Sequence, residues 1–309
     1  MNYKYILSIL ILLMSTSMFA QTDSRYSQYA MNGLRLNPAY AGSSENLDFT
    51  GIYRNQWTGL AESPKQFSLS MHNALGKEKK VGLGFIMEHE QVGIDTRTTL
   101  FASYAYKIAF NNGGSISAGL QAGLINFSSA LTEIVTPEGG FDSAFSENIN
   151  SWSPNFGAGI YYQKNDYYMG ISVPHLLAYN SESSKDVLHE SLALEGNYRE
   201  YLFTAGLTVD LTKELDLKPS ILVRYIPASP PVEIAATAYF VYKKQFWLGA
   251  SYRSNEIVKP ESLSMQFFYQ LDNGIKLGYA YDHTFAPIGV YTFGSHEFLI
   301  GLDLSAKGK

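Results

Sequence analysis

The stretch "TLFASYAYKIAF", residues 99–110, decides the fold because its apolar residues recur at every second position. One face carries the larger apolar and aromatic side chains, Leu100, Ala102, Tyr104, Tyr106, Ile108 and Phe110. The opposite face carries Ser103, Ala105 and Lys107. Because side chains alternate between the two faces of a β-strand, this period of two predicts a strand. The strand has one apolar, aromatic face and one small or polar face.

The same alternation continues along most of the chain after residue 46 and predicts fourteen strands. They cover residues 47–57, 65–74, 80–91, 97–110, 115–128, 153–163, 167–173, 198–211, 215–226, 232–242, 246–253, 262–270, 275–284 and 295–304. Most of them are long enough to cross a bilayer, which takes about 9–11 residues of a tilted strand.

The links between these strands fall into two alternating classes. Links from an odd to an even strand are long or rich in proline, as in residues 129–152, residues 174–197 and "IPASPPV". Links from an even to an odd strand are tight, as in "NNGG" and "LDNG". Outer-membrane barrels have short periplasmic turns and longer surface loops. The pattern therefore predicts that the first strand starts, and the last strand ends, on the periplasmic side.

Composition separates a membrane barrel from the competing interpretation, a secreted β-sandwich. Charged residues make up 17% of the chain and aromatic residues 14%, whereas soluble domains carry roughly 25% charged residues. A sandwich hides its apolar faces and has no reason to sort its loops by length. An open sheet edge in lipid leaves unpaired backbone groups that each cost several kcal/mol. We therefore predict an all-β fold, a 14-stranded antiparallel transmembrane β-barrel over residues 47–305.

The aromatic excess fits a membrane boundary. Tyrosine and tryptophan favour that boundary because the ring lies in lipid while the polar tip reaches water. We expect Trp57 and Trp152 at surface-side strand ends and Trp247 at a periplasmic strand end.

The first residues indicate export. Lys4 is followed by an apolar run up to Met14 and by small and polar residues ending at Ala20. This pattern is typical of a secretory signal peptide, so we expect residues 1–20 to be removed. The chain has no cysteine, which excludes a disulfide framework and a lipid anchor attached through a thiol. The expected location is the cell outer membrane, as an integral protein.

Residues 21–46 precede the first predicted strand and are rich in aromatic and turn-forming residues. A ring of fourteen strands is wider than the roughly eight-strand barrel that side chains alone can fill. We therefore expect this N-terminal segment to plug the lumen. The side chains expected to pack there are Tyr26, Tyr29, Leu34, Leu36 and Tyr40.

Charge pairing is expected to fix this plug. Arg25 and Arg35 can meet carboxylates on the inward faces of the strands, and the candidates are Asp48, Asp210, Asp282, Glu297 and Asp303. The competing interpretation is a loose periplasmic leader, because chain termini often stay unordered unless they are docked.

The usual catalytic and metal-binding patterns do not occur in the sequence. Its six histidines are scattered, without the paired spacing of a metal site. Ser295 and His296 are adjacent on a predicted strand, so they point to opposite faces and cannot form a catalytic pair. The net charge of −5 argues against nucleic acid as a partner. The sequence therefore predicts no enzyme, no cofactor, no metal site and no small-molecule substrate.

Two long surface links are acidic. Their carboxylates are Glu133, Glu138, Asp142 and Glu147 in the first and Glu182, Asp186, Glu190 and Glu195 in the second. Binding residues often lie on loops that a rigid scaffold presents, and loops longer than about 12–15 residues tend to be functional or disordered. We expect these two loops to contact an exported partner; solvated surface charge is the alternative.

Three motifs follow one another along the chain. The first, "SQYAMNGLRLNPAYAG" (27–42), contains Tyr29, Asn37, Pro38, Ala39, Tyr40 and Gly42. The second, "YRNQWTGLAESPKQFSLSMH" (53–72), contains Arg54, Gln56, Trp57, Pro64 and His72. The third, "GSHEF" (294–298), contains His296 and Glu297. With these motifs the chain resembles the PorP/SprF family of outer-membrane proteins, which is associated with type IX secretion and gliding motility in Bacteroidetes.

The resemblance implies a non-enzymatic accessory or anchor protein of type IX secretion. Members of the PorP kind look like parts of the secretion machinery, and members of the SprF kind look dedicated to one large adhesin. The implied partners are a secreted surface adhesin or secretion components, together with outer-membrane lipid. The alternative function is a plugged-barrel transporter for small hydrophobic solutes. A continuous apolar path through the lumen would favour transport, and a sealed lumen would favour anchoring.

Overall fold

The computed structural model describes residues 25–44, 47–134, 146–177, 199–227, 232–255 and 259–304. The expected signal peptide, residues 1–20, lies outside these ranges. Within them, no helix is both long and apolar enough to span a membrane.

Fourteen strands run through the described ranges. They are β1 (Asp48–Asn55), β2 (Lys65–Leu75), β3 (Val81–Val92), β4 (Asp95–Ala109), β5 (Gly114–Ser129), β6 (Ile149–Lys164), β7 (Tyr167–Val173), β8 (Tyr201–Leu207, resuming as Val209–Asp210), β9 (Leu215–Tyr225), β10 (Glu233–Tyr242), β11 (Phe246–Ser254), β12 (Pro260–Gln270), β13 (Ile275–Thr284) and β14 (Ser295–Asp303).

Each strand pairs with its neighbours in the chain, and β14 pairs with β1. All these pairings are antiparallel, and the closing pair runs in continuous register from Asp48 opposite Asp303 to Asn55 opposite His296. Closure removes the two sheet edges that lipid could not hydrogen-bond. The predicted 14-stranded antiparallel barrel is confirmed.

The predicted eighth strand, 198–211, is shorter in the structure and is interrupted at Thr208. Pairing in β8 begins only at Tyr201, and the Thr208 amide donates to the Asp166 carbonyl in the β6–β7 turn, with an N–O distance of 2.6 Å. On the other side of the strand, the pairing with β9 lapses between Ser220 (opposite Gly206) and Leu217 (opposite Val209), where Pro219 has no amide to donate.

The two faces of each strand differ as the alternation predicts. On β4, Tyr104 and Tyr106 point outward and are exposed, whereas Phe101, Ser103 and Ala105 point inward and are buried. Outward apolar side chains are widely exposed around the ring, which is the surface that a bilayer would cover.

The two ends of the barrel differ in their connections. One, the short-turn end, has turns 76–80, 110–113, 165–166, 211–214, 243–245 and 271–274. The other, the long-loop end, has links 56–64, 130–148, 174–200, 226–232, 255–259 and 285–294. The β3–β4 link is an exception, because residues 93–94 form a tight turn at the long-loop end, with Gly93 at φ +58°. The prediction that every odd-to-even link is long or rich in proline was therefore wrong at this position.

The N-terminal segment, residues 25–44, forms three short helical turns, Tyr29–Met31, Gly33–Leu36 and Pro38–Tyr40. Its buried side chains contact strands on different arcs of the ring. Tyr26 joins a buried cluster from β1, β10, β12 and β14, Leu34 joins one from β3, β4 and β5, and Tyr29 joins one from β8, β9 and β10. A segment that contacts all these arcs lies inside the barrel.

Trp247 corrects one expectation. It lies near the short-turn end as predicted, but it faces the lumen, where its ring packs 5.9 Å from that of Tyr239. Two inward cations, Lys218 and Lys276, lie 4.6 and 5.6 Å from the ring centre. The indole is therefore held by cation–π contacts inside the barrel rather than by the lipid boundary.

Candidate functional site

The candidate site is the interface between the N-terminal segment and the inner wall. Arg54, near the end of β1, stands opposite Glu297 of β14, so both side chains point inward. Its guanidinium contacts the Glu297 carboxylate and lies 3.0 Å from Asp282 Oδ2. These three side chains are at most 4% exposed. The group is an inward ion-pair network near the long-loop end.

The N-terminal segment completes this network. The amides of Ser27 and Gln28 donate to the two Glu297 oxygens at 2.6 and 3.1 Å. The Ser27 hydroxyl donates to Asp282 Oδ2 at 2.9 Å and accepts from Arg54 at 3.1 Å. Buried charges are tolerated when their hydrogen bonds are satisfied, and the segment takes part in four of these bonds.

A second set of ion pairs lies beside the first. Arg25 is 3.0 Å from Glu233 and 2.8 Å from Glu261. Arg253 lies 3.5 Å from Glu233, and Arg224 lies 2.8 Å from Glu200. Arg25, the first residue that the structure describes, is thus bound to the starts of β10 and β12.

The expected carboxylate partners of the two arginines were wrong. Arg25 pairs with Glu233 and Glu261, and Arg35 lies 2.5 Å from Glu88. Of the five candidates, Asp282 and Glu297 instead bind Arg54 and the backbone of the segment. The other three, Asp48, Asp210 and Asp303, lie near the short-turn end, far along the strands from Arg25.

The "NPAY" turn, residues 37–40, is held by the Asn37 side chain, which bonds both within the turn and to the barrel wall. Asn37 caps the turn by accepting from the Ala39 amide at 2.9 Å, and Pro38 occupies the first position of the turn. The Asn37 amide group donates to the carbonyls of Ile160 and Ile171 at 3.0 and 3.3 Å. This single side chain therefore links the segment to both β6 and β7.

The wall has glycine where the turn approaches most closely. A Cβ on Gly119 would lie 2.2 Å from the Ala39 nitrogen, and one on Gly159 would lie 2.1 Å from the Asn37 side-chain oxygen. No side chain fits at either position while the turn is docked.

The aromatic part of the motif meets a predicted barrel residue. The Tyr40 ring packs edge-on against His72, with ring centres 5.2 Å apart, and against Tyr161 at 5.3 Å. Gly42 follows at φ +73° and closes against β3. Two motifs that are distant in the sequence therefore meet in the lumen.

The remaining motif positions lie elsewhere. Gln56, Trp57 and Pro64 belong to the β1–β2 loop, where the Gln56 amide donates to the Pro64 carbonyl at 2.9 Å. His296 faces outward and lies 2.8 Å from the Tyr279 hydroxyl. The interior site therefore gathers Arg54, His72 and Glu297 but not these four residues.

Only two of the eight acidic loop residues lie in the described ranges. Glu133 and Glu147 are exposed at the long-loop end. The other six lie outside the described residues, and they are Glu138, Asp142, Glu182, Asp186, Glu190 and Glu195.

Sequence reasoning missed an apolar loop at the same end. Val290, Tyr291 and Phe293, in the β13–β14 link, are 81%, 74% and 76% exposed. Two backbone hydrogen bonds of 2.8 Å, between Thr58 and residues 293 and 294, hold this link against the β1–β2 loop. The available signal was the stretch "FAPIGVYTF", which is apolar and carries no charge.

Comparison with protein families gives one match. The model described as "Type IX secretion system membrane protein PorP/SprF" matches residues 18–302. No curated protein matches the chain.

Solved structures give the fold. The outer membrane protein Omp33 of Acinetobacter baumannii is 6% identical, with a TM-score of 0.50, over 85% of this chain and 99% of that one. A mutant of the Rh. blastica porin is 8% identical, with a TM-score of 0.37, over 84% of this chain and 99% of that one. The first likeness supports an outer-membrane barrel and says nothing further about activity.

Proposed function

The chain belongs to the PorP/SprF family of type IX secretion system membrane proteins, and on that premise we propose that it is a plugged outer-membrane anchor. In this role it assists the export or surface attachment of an adhesin-type cargo, or docks the secretion machinery. The barrel is the membrane-embedded scaffold, the N-terminal segment is the plug, and the long-loop end meets the partner. We expect no catalytic role.

One observation carries this proposal, namely the attachment of the N-terminal segment along the inner wall. The ion pair of Arg25 with Glu233 binds it, and so do the hydrogen bonds from the amides of Ser27 and Gln28 to the Glu297 carboxylate. Its turn is fitted to glycines of β5 and β6. Removing one partner of a buried ion pair typically costs about 3–5 kcal/mol. A segment held this way suits a permanent plug better than a gate that opens in every transport cycle.

The lining of the lumen also bears on the alternative, a transporter of small hydrophobic solutes. Such a transporter needs a mostly apolar pathway. Among the described residues, the inner wall near the long-loop end instead carries Arg54, Arg224, Glu233, Asp282 and Glu297. This charged layer favours anchoring over transport.

The partner surface is proposed to combine the acidic loops with the apolar β13–β14 loop. Glu133 and Glu147 supply exposed negative charge, and Tyr291 and Phe293 supply aromatic side chains. Exposed apolar patches mark interaction sites, and aromatic residues contribute much of the energy of many interfaces. Whether the partner is secretion machinery or an adhesin separates the PorP kind from the SprF kind.

Co-purification tests this proposal. The affinity-tagged chain is isolated from solubilised outer membranes, and the accompanying proteins are quantified by mass spectrometry. We expect a large exported adhesin or secretion components to accompany it. A variant with Val290→Ser, Tyr291→Ser and Phe293→Ser should retain less of the partner, whereas Lys213→Ala, at the opposite end, should retain all of it. If the tagged chain brings down no more of these proteins than an unrelated tagged barrel does, the proposal is wrong.

A further inference from the structure

The N-terminal segment starts and finishes at opposite ends of the barrel. Its last turn lies at the short-turn end. There the Gly42 carbonyl accepts from the Lys107 ammonium at 3.4 Å, and the Ala41 carbonyl would lie 2.0 Å from a Cβ on Gly82. Gly82 is next to the 76–80 turn, and Lys107 is close to the 110–113 turn. The chain therefore leaves the lumen beside the start of β1.

The first described residue lies at the other end. Arg25 binds Glu233, the first residue of β10, and Glu261, the second residue of β12. Its guanidinium also lies 3.5 Å from the side-chain oxygen of Asn255, just beyond the end of β11. All three partners border the links 226–232 and 255–259 of the long-loop end.

The contacts of Ser27 and Asn37, between these two points, follow in chain order. Ser27 binds Asp282 and Glu297, which lie within three residues of the long-loop ends of their strands. Asn37 binds the carbonyls of Ile160 and Ile171, further toward the short turns. The segment therefore crosses the barrel lengthwise, from the long-loop end at Arg25 to the short-turn end, where β1 begins.

In outer-membrane barrels the short turns face the periplasm and the long loops face the cell surface. We propose that the N-terminal segment enters the lumen from the cell-surface side, so that Arg25 lies at the surface mouth of the barrel while β14 ends in the periplasm. This inference does not depend on the proposed anchoring role.

The topology has a consequence for binding. An exported partner at the cell surface can contact the start of the plug directly, without entering the lumen. The ion pairs of Arg25 with Glu233 and Glu261 then lie immediately below such a contact. The surface-side mouth around Arg25 is thus part of the face that a partner meets.

Cysteine labelling tests the topology, because the chain has no native cysteine. Thr22→Cys is expressed in the full chain, and intact cells are treated with a large maleimide polymer that cannot cross the outer membrane. Val290→Cys, in the β13–β14 loop, is the surface control. Lys213→Cys, in the 211–214 turn, is the periplasmic control. The gel mobility of each variant is compared before and after heating, because a folded barrel changes its mobility when heat unfolds it.

We expect Thr22→Cys to label on intact cells to the same extent as Val290→Cys, and Lys213→Cys to label only after permeabilisation. Labelling of Thr22→Cys only after permeabilisation, or only after denaturation, would overturn the proposal. A reversal of the two controls would show that the barrel has the opposite orientation, and would overturn it as well. If Thr22→Cys fails to fold, Ser24→Cys is labelled in its place under the same criteria.

Discussion

Arg54 and Glu297 face each other across the β1–β14 pairing that closes the barrel, and they form a fully buried ion pair there. The Glu297 carboxylate also accepts hydrogen bonds from the backbone amides of Ser27 and Gln28, in the N-terminal segment. Ring closure and attachment of the segment therefore depend on the same two side chains.

Arg54→Ala should destabilise the barrel, because Glu297 and Asp282 would stay buried without their cation. We expect a loss of about 3–5 kcal/mol in the free energy of unfolding, measured by urea unfolding in detergent micelles. The control is Tyr53→Phe, the outward-facing neighbour on β1, which should change little. Equal stability of Arg54→Ala and the wild type would contradict the role given to this pair.

Replacing both members of the pair should cost less than the sum of the two single replacements, Arg54→Met and Glu297→Leu. In Arg54→Met with Glu297→Leu no charge of the pair is left unpaired, although Asp282 loses its partner at 3.0 Å and the amides of Ser27 and Gln28 lose their acceptor. The single and double variants form a thermodynamic cycle, and residues in direct contact typically couple by about 0.5–3 kcal/mol. A coupling energy near zero would mean that the two side chains stabilise the barrel independently.

Gly119→Val should displace the "NPAY" turn, because its Cβ would lie 2.2 Å from the Ala39 nitrogen. We expect faster trypsin cleavage after Arg35 in the solubilised barrel, since the displaced segment becomes accessible. Ala118→Val, on the outward face of the same strand, is the matched control and should leave cleavage unchanged. Protection of Arg35 in Gly119→Val equal to that in the wild type would refute the tight fit.

Leu120→Arg should test the lipid-facing surface. Leu120 is 65% exposed near the middle of β5, and an arginine at the bilayer midplane costs about 2–4 kcal/mol. Leu211→Arg, at the short-turn end, should cost only about 0–1 kcal/mol, as expected near the interface. The free energy of unfolding of both variants is measured in liposomes. Equal losses in the two variants would place Leu120 outside the lipid.

Sequence alternation predicted which face of the barrel wall each residue occupies, but not its position along the barrel axis. A period of two is enough to place Tyr104 outside and Ser103 inside. It does not say how far along the axis a lumen residue lies, and so it could not identify Glu233 and Glu261 as the partners of Arg25. That pairing depends on the path of the segment, which tertiary packing sets.

Two other features, the inward orientation of Trp247 and the exposed β13–β14 loop, were not predicted, for different reasons. Trp247 was assigned to the lipid boundary from its residue type, although its position relative to Gly249 and Ser251 on β11 already placed it on the inward face. The position of Phe293 and Gly294 is set by hydrogen bonds to Thr58 in a different loop, and local pattern does not encode such contacts. Whether a residue faces the lumen or the lipid is therefore better predicted here by its alternating position along the strand than by its residue type.

Ion conductance in planar bilayers tests the central claim most directly, that the N-terminal segment fills a barrel whose apolar faces meet lipid. The full-length chain should conduct little. Deletion of residues 22–42, in a variant shown to remain a folded barrel by its gel mobility before and after heating, should produce large stepwise openings. Unchanged conductance in the folded deletion variant would contradict the account.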